Sequence, residues 1–148
     1  MRAVVTRVSS ASVTIDGAVA GEIGKGYLVL LGVAPEDTEE TAVKLADKIC
    51  NLRVFEDENG KMNLNLETVG GSLLVVSQFT LFADTSSRRP GFTGAAKPDI
   101  AIPLYEKFMA NCHERGFTVA HGEFGADMKV ASVNDGPVTI LFDTAEKK

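Results

Sequence analysis

The chain has 148 residues, of which 45% are hydrophobic and 24% charged, and its net charge is -5. These values describe one ordinary globular domain and exclude wholesale disorder or a fibrous repeat. The longest apolar run, Tyr27 to Val33, is too short for a bilayer, which needs about 20 residues. The acidic balance argues against a broad electrostatic grip on nucleic acid.

The N-terminus goes straight into strand-like alternation. With no charged lead and cleavable apolar block, the expected setting is cytoplasmic. Arg2 to Val8 reads as a strand. Ala11 to Ile15 and Ala18 to Ile23 flank Asp16-Gly17 and read as a hairpin, because Asp-Gly suits a tight turn with positive φ. Tyr27 to Val33 is apolar on both faces, the pattern of a strand covered on both sides. Pro35 to Asn51 reads as a helix with Asp37 as N-cap and Glu40 three residues on. Ala42, Val43, Ala46, Ile49 and Cys50 form its apolar stripe.

Arg53 to Phe55 and the alternation at Met62, Leu64 and Leu66 suggest short strands around a turn at residues 57–60. Gly70-Gly71 precedes a second buried run, Ser72 to Val76, that flows into Ser77-Gln78-Phe79-Thr80-Leu81. The loop Ala83 to Lys97 follows, long enough to be functional. A second helix starts between Pro98 and Pro103, with Ala101, Leu104, Tyr105, Phe108 and Cys112 on one face and Gly116 as its stop. Phe117 to Ala120, Asp127 to Val133 and Val138 to Phe142 complete the strands. The expected fold is α+β: a mixed, curled, barrel-like sheet with about two helices, in a single domain spanning residues 1–148.

Several chemistries lack their residues. No phosphate-loop, dinucleotide or Gly-x-Ser-x-Gly motif occurs. Cys50 and Cys112 read as reduced core thiols, and with His113 and His121 they give no zinc spacing, so no metal or cofactor is expected. Neither histidine sits in a motif that would use it catalytically.

Two segments carry more. A buried strand delivers Ser77, Gln78, Phe79 and Thr80, and continued alternation would send Ser77 and Phe79 one way, Gln78 and Thr80 the other. From the residues alone this is either a strand end satisfying local backbone groups or one wall of a polar cleft. Asn134-Asp135-Gly136-Pro137-Val138-Thr139 is either a hairpin turn or something stiffer. Glycine takes backbone shapes closed to other residues, and proline makes a cis peptide accessible. Such a unit would present a wall of main chain with no rotamer to swing aside. Arg88, Arg89 and Lys97 make the segment between Thr85 and Pro98 positive inside an acidic chain, either a solvated loop or a small phosphate-contacting patch.

Together the two segments resemble the signature motifs of the D-aminoacyl-tRNA deacylase family. The likeness extends to Arg2 to Val8, to Gly60 to Asn65, to the Arg89-Pro90-Gly91-Phe92 loop and to Phe124-Gly125-Ala126-Asp127-Met128. The resemblance implies a homodimeric cytosolic hydrolase of the ester joining a D-amino acid to the terminal adenosine of tRNA, with activity on glycine mischarged to alanine tRNA. It implies a Gly136–cis-Pro137 unit that enters the partner subunit's pocket and excludes L-amino acids, with Arg7 as its buttress. Thr80, Gln78 and Ser77 would do the chemistry. Phe79, Gly136, Pro137, Val138, Thr139, Arg7 and Met128 would bind substrate. Arg88, Arg89 and Lys97 are the candidate tRNA contacts; no membrane or DNA partner is expected. Two other readings stay open at this point: a non-catalytic binder of the aminoacylated tRNA end, and a small-molecule esterase using Thr80 or Ser77.

Overall fold

The computed structural model describes residues 1–146. In chain order the elements are β1 (Arg2–Ile15), β2 (Ala18–Ile23), β3 (Gly26–Gly32), α1 (Glu39–Cys50), β4 (Phe55–Glu56), β5 (Met62–Leu64), β6 (Ser72–Ser77), a 3-10 helix (Phe79–Phe82), α2 (Pro98–Glu114), β7 (Val119–His121) and β8 (Lys129–Asp143). This is the expected α+β arrangement.

The long strand β1 organises the sheet. Its first half pairs antiparallel with β3, its second half with β2, and β8 runs antiparallel along its other edge. The β1–β2 turn places Asp16 at φ 50° and Gly17 at φ 78°, the two positive values that an Asp-Gly hairpin supplies. Beyond β3 the sheet continues with β6 and β7, both parallel. It curls until β2 meets β7: a Cβ on Gly21 would lie 2.8 Å from the His121 carbonyl oxygen. The result is a nearly closed barrel.

Period-two alternation explains why the central strands are apolar throughout. Tyr27, Val29, Leu31, Leu73 and Val75 face the helices and pack with Leu45, Ile49, Leu104 and Phe108. Leu28, Leu74 and Val76 point inside the curl, with Val8, Val13 and Ile23. The second helix buries its predicted stripe and the first buries Ala42, Ala46, Ile49 and Cys50, with Leu45 fully buried and Val43 only half-buried. Where the helices meet, the free thiols of Cys50 and Cys112 lie 3.7 Å apart in the core.

Three local expectations are corrected. Asp37 is not the N-cap of α1. Thr38 caps it in a reciprocal box with Thr41, while the Asp37 carboxylate takes the Met1 ammonium at 2.8 Å and the Ala34 N–H at 2.7 Å. A charged partner for a carboxylate that is 94% shielded outweighs one capping bond. Residues 134–137 are not a hairpin turn between two strands, because both flanking segments pair with the same strand, β1, as one continuous β8. Strand alternation also stops at Ser77, so the expected opposition of Ser77 and Phe79 to Gln78 and Thr80 gives way to a 3-10 turn.

Candidate active site

The end of β6 is where the sheet opens. β3 and β6 pair as far as Leu31 and Ser77, whereas β7 has already ended at His121 opposite Val75. The Val75 carbonyl there accepts from the buried Tyr105 hydroxyl at 2.9 Å. Burial pushes that hydroxyl up to about 12, so it stays a donor across the ordinary pH range.

Past this point the diverging segments enclose a cavity of about 580 Å³. One wall is Val76, Ser77, Gln78 and Phe79, and the other is Phe124 to Ala126 with Met128 and Val130. Ala95 to Pro98, the approach to α2, lie between them with Phe92. Phe79 is 54% exposed and meets Phe92 edge to face, ring centroids 5.2 Å apart. The lining is aromatic and aliphatic with a few polar groups at one end, the composition of a small-molecule or substrate-end pocket.

The 3-10 turn carries the polar end. The Gln78 side-chain amide donates to the Thr80 hydroxyl. Gln78 N–H is fixed to the Leu31 carbonyl at 2.8 Å, and the turn closes through Leu81 N–H to the Gln78 carbonyl at 3.2 Å. The N–H groups of Phe79 and Thr80, like the first donors of any helix, have no acceptor among the described residues. Thr80 is exposed and, unlike Ser77, Gln78 and Phe79, does not line the cavity.

The Gly136–Pro137 segment is elsewhere. Thr6 pairs with Thr139 and Val8 with Asn134, so the single residue Arg7 faces the four residues 135–138. These four bulge out of the ladder, and the Gly136–Pro137 peptide within them is cis. Arg7, only 5% exposed, holds the bulge from beneath. Its Nε donates to the Asp135 carbonyl at 3.0 Å and its Nη1 to the Val54 carbonyl at 2.6 Å, and Nε lies 3.9 Å from the Asp135 carboxylate. Val138 turns inward and is buried, while Asp135, Gly136, Pro137 and Thr139 are exposed.

The cavity and the bulge therefore lie apart within one chain. Arg7 sits beside Tyr27, which sits beside Leu73; the cavity begins at the level of Leu30 and Val76. Three strand residues separate those levels, about 10 Å. None of Arg7, Gly136, Pro137, Val138 or Thr139 lines the cavity, whereas Ser77, Gln78, Phe79, Met128 and Lys97 do. Arg88 and Arg89 are exposed in a loop closed by the Asp84–Gly91 bridge, with N–H to carbonyl distances of 2.7 and 3.0 Å.

Size alone does not identify the site. A cavity of about 630 Å³ lies beside Met1 and Asp37, and another of about 610 Å³, lined by His113 and His121, lies between α2 and β7. Neither contains a residue of the two motifs. Sequence reasoning assigned no role to Phe92, Phe124 or Val130, which complete the main cavity. The first two stand in segments that carried the resemblance; nothing marked Val130, an apolar residue on a strand with no motif.

A cleft at diverging strand ends, with free N–H donors beside an apolar pocket, fits a hydrolase acting on an ester or amide. A model of the family described as D-Tyr-tRNA(Tyr) deacylase matches residues 4–143. A D-aminoacyl-tRNA deacylase of Shewanella baltica is 62% identical over 140 residues, covering 94% of this chain and 97% of that one. The Thermus aquaticus protein of the same description is 57% identical over 148 residues, covering 99% and 97%. Among solved structures, a "c-Myc DNA Unwinding Element Binding Protein" is 40% identical and superposes with a TM-score of 0.92 over 99% of this chain and 100% of that one. The chain is a hydrolase and belongs to the D-aminoacyl-tRNA deacylase family. Among the described residues no helix is long and apolar enough to cross a membrane.

Proposed function

We propose that this enzyme hydrolyses D-aminoacyl-tRNA in the cytoplasm, also accepts glycyl-tRNA(Ala), and rejects L-aminoacyl-tRNA through Gly136 and Pro137 of a second copy of the chain. The observation that carries this reading is the four-residue bulge opposite Arg7, braced from within and presented outward, away from its own chain's cavity. Main chain projected in this way is suited to enter another molecule's cleft. A homodimer would let each copy complete the other's site.

The chirality argument follows from geometry. D and L substrates differ only in which Cα substituent is the side chain. A pocket that fixes the amino group and the ester sends those two substituents to different walls. If backbone stands at hydrogen-only distance behind one of them, an L side chain clashes and a D side chain points to solvent. Selection works by excluding one enantiomer, so many D side chains pass. Glycine has nothing to clash and passes too.

For the chemistry, the free N–H groups of Phe79 and Thr80 would stabilise the developing oxyanion. Gln78 and Ser77 would orient the ester or the attacking water, with Phe79 and Met128 against the terminal nucleoside or the substrate. Thr80 is a poor nucleophile here: its hydroxyl contacts the Gln78 amide, and no base adjoins it. The adenosine 2'-OH, next to the ester, is the better-placed activator of water, with the protein binding and orienting. Arg88, Arg89 and Lys97 would meet acceptor-end phosphates.

The test is a deacylation assay with D-tyrosyl-tRNA, glycyl-tRNA(Ala) and the ethyl ester of D-tyrosine. Rapid release from both tRNAs and slow release from the simple ester is the expected result. Equal rates on the free ester would mark a general esterase, and tight tRNA binding without release a binding module.

A further inference from the structure

The 3-10 turn that carries Phe79 and Thr80 is weakly anchored by its own sequence. None of its four residues is buried, and no side chain caps its start. Besides the Gln78–Leu31 bond and the Phe79–Phe92 contact, a side chain from the beginning of β1 reaches it. Arg2 Nη1 donates to the Leu81 carbonyl at 2.9 Å. The same guanidinium lies over the Phe82 ring, 4.6 Å from its centroid. Its Nε is aimed by the Asp143 carboxylate at 3.0 Å, on the last residue of β8. Gly32, the cross-strand partner of Arg2, leaves no slack beside it, since a Cβ there would lie 3.0 Å from the Gln78 carbonyl oxygen and 3.1 Å from the Phe82 ring.

We infer that Arg2 is a positioning residue for the reaction, fixing the 3-10 turn so that the Phe79 and Thr80 N–H groups stay aimed at the ester carbonyl. This rests on the oxyanion role proposed above for those groups. Arg2 touches the turn at a carbonyl and a ring, both beyond Thr80, and so acts through the turn and not on substrate. The geometry needs a planar, multidentate cation: one face on Phe82, one edge to Asp143, one corner to Leu81. A lysine ammonium is a point charge with no flat face or fixed fork and cannot match all three at once.

The experiment compares wild type with Arg2→Ala, Arg2→Lys and Phe82→Leu, using single-turnover and steady-state deacylation of D-tyrosyl-tRNA together with amide hydrogen exchange. For Arg2→Ala the expected result is a kcat about tenfold lower with KM within about twofold, the pattern of a lost transition-state interaction. Arg2→Lys recovers part of that loss. In parallel the Leu81 and Ala83 amides, which close the turn onto Gln78 and Thr80, lose protection. An unchanged kcat with only a lower melting temperature overturns the inference. So does a KM effect alone, which would make Arg2 a tRNA contact, or a kcat loss with protection intact. Should Arg2→Ala not fold, Arg2→Lys against wild type decides by the same readouts, and Phe82→Leu, which also removes the ring's contact near Gly32, shows whether loosening the turn by another route lowers kcat alike. A wild type inactive on D-tyrosyl-tRNA would remove the functional reading, while the exchange measurement would still decide whether Arg2 holds the turn.

Discussion

The Arg7 guanidinium fills the space beneath Gly136 in the bulge of β8: Nε binds the neighbouring Asp135 carbonyl at 3.0 Å, and a Cβ on Gly136 would lie 2.8 Å from Nη2. The same side chain ties the bulge to the Val54 carbonyl at 2.6 Å, linking it to the entry of β4. Arg7→Ala strips two carbonyls of a charged donor, which costs about 2–4 kcal/mol. A melting temperature several degrees lower is expected. Arg7→Lys keeps the charge but cannot fork to both carbonyls, and falls between the two in a thermal melt.

Gly136 sits at φ 123°, where an L side chain is strained whatever the space, and the Arg7 and Val138 side chains leave little space. Gly136→Ala is expected to destabilise by about 1–3 kcal/mol, read from the denaturant midpoint at constant m. A neutral result would show that the bulge is soft, not braced.

Thr80→Ala is expected to leave single-turnover cleavage of D-tyrosyl-tRNA within about threefold of wild type, since an unassisted hydroxyl is not the attacking group. Loss of activity by about a thousandfold, together with an acyl-enzyme trapped in wild type and absent in Thr80→Ala, would restore the covalent route.

Replacing Arg88, Arg89 and Lys97 with alanine is expected to weaken tRNA binding and to reduce the slope of log affinity against log salt by about two. These cations are exposed, and the loop that carries Arg88 and Arg89 holds its shape through the Asp84–Gly91 bridge, so the fold should not change. An identical slope would show the loop to be merely solvated.

Most of the fold was legible in the sequence because period and turn chemistry decide it. The double-sided apolar runs at Tyr27 and Ser72, the Asp16-Gly17 turn and the helical stripes of α1 and α2 are local signals, and each element is present, although α1 begins at Glu39 and not at Pro35. The errors arise where a distant partner overrides the local signal. Asp37 left the helix start for the Met1 ammonium, which no local rule anticipates. Asn134 to Pro137 has turn composition, yet β1 pairs with the chain on both sides of it and converts a turn into a bulge. The polar wall Ser77-Gln78-Phe79 was visible as a strand end, but the 3-10 turn that follows it meets residues distant in sequence, Arg2 at the Leu81 carbonyl and Gly32 at Gln78 and Phe82. The opposite wall, at Phe124 and Val130, is defined only by how β7 and β8 diverge.

The central claim is that stiff main chain at Gly136 and Pro137, presented to a second copy, keeps L-amino acids out. Its most direct measurement is the ratio of D- to L-tyrosyl-tRNA deacylation rates in wild type and in Pro137→Gly, which frees the fixed φ of proline. Wild type should consume the D substrate while leaving the L substrate intact, and the variant should narrow that ratio by about tenfold or more, chiefly by gaining activity on L-tyrosyl-tRNA. A wild type that cleaves both enantiomers alike, or a variant that loses both activities in equal measure, would contradict the account.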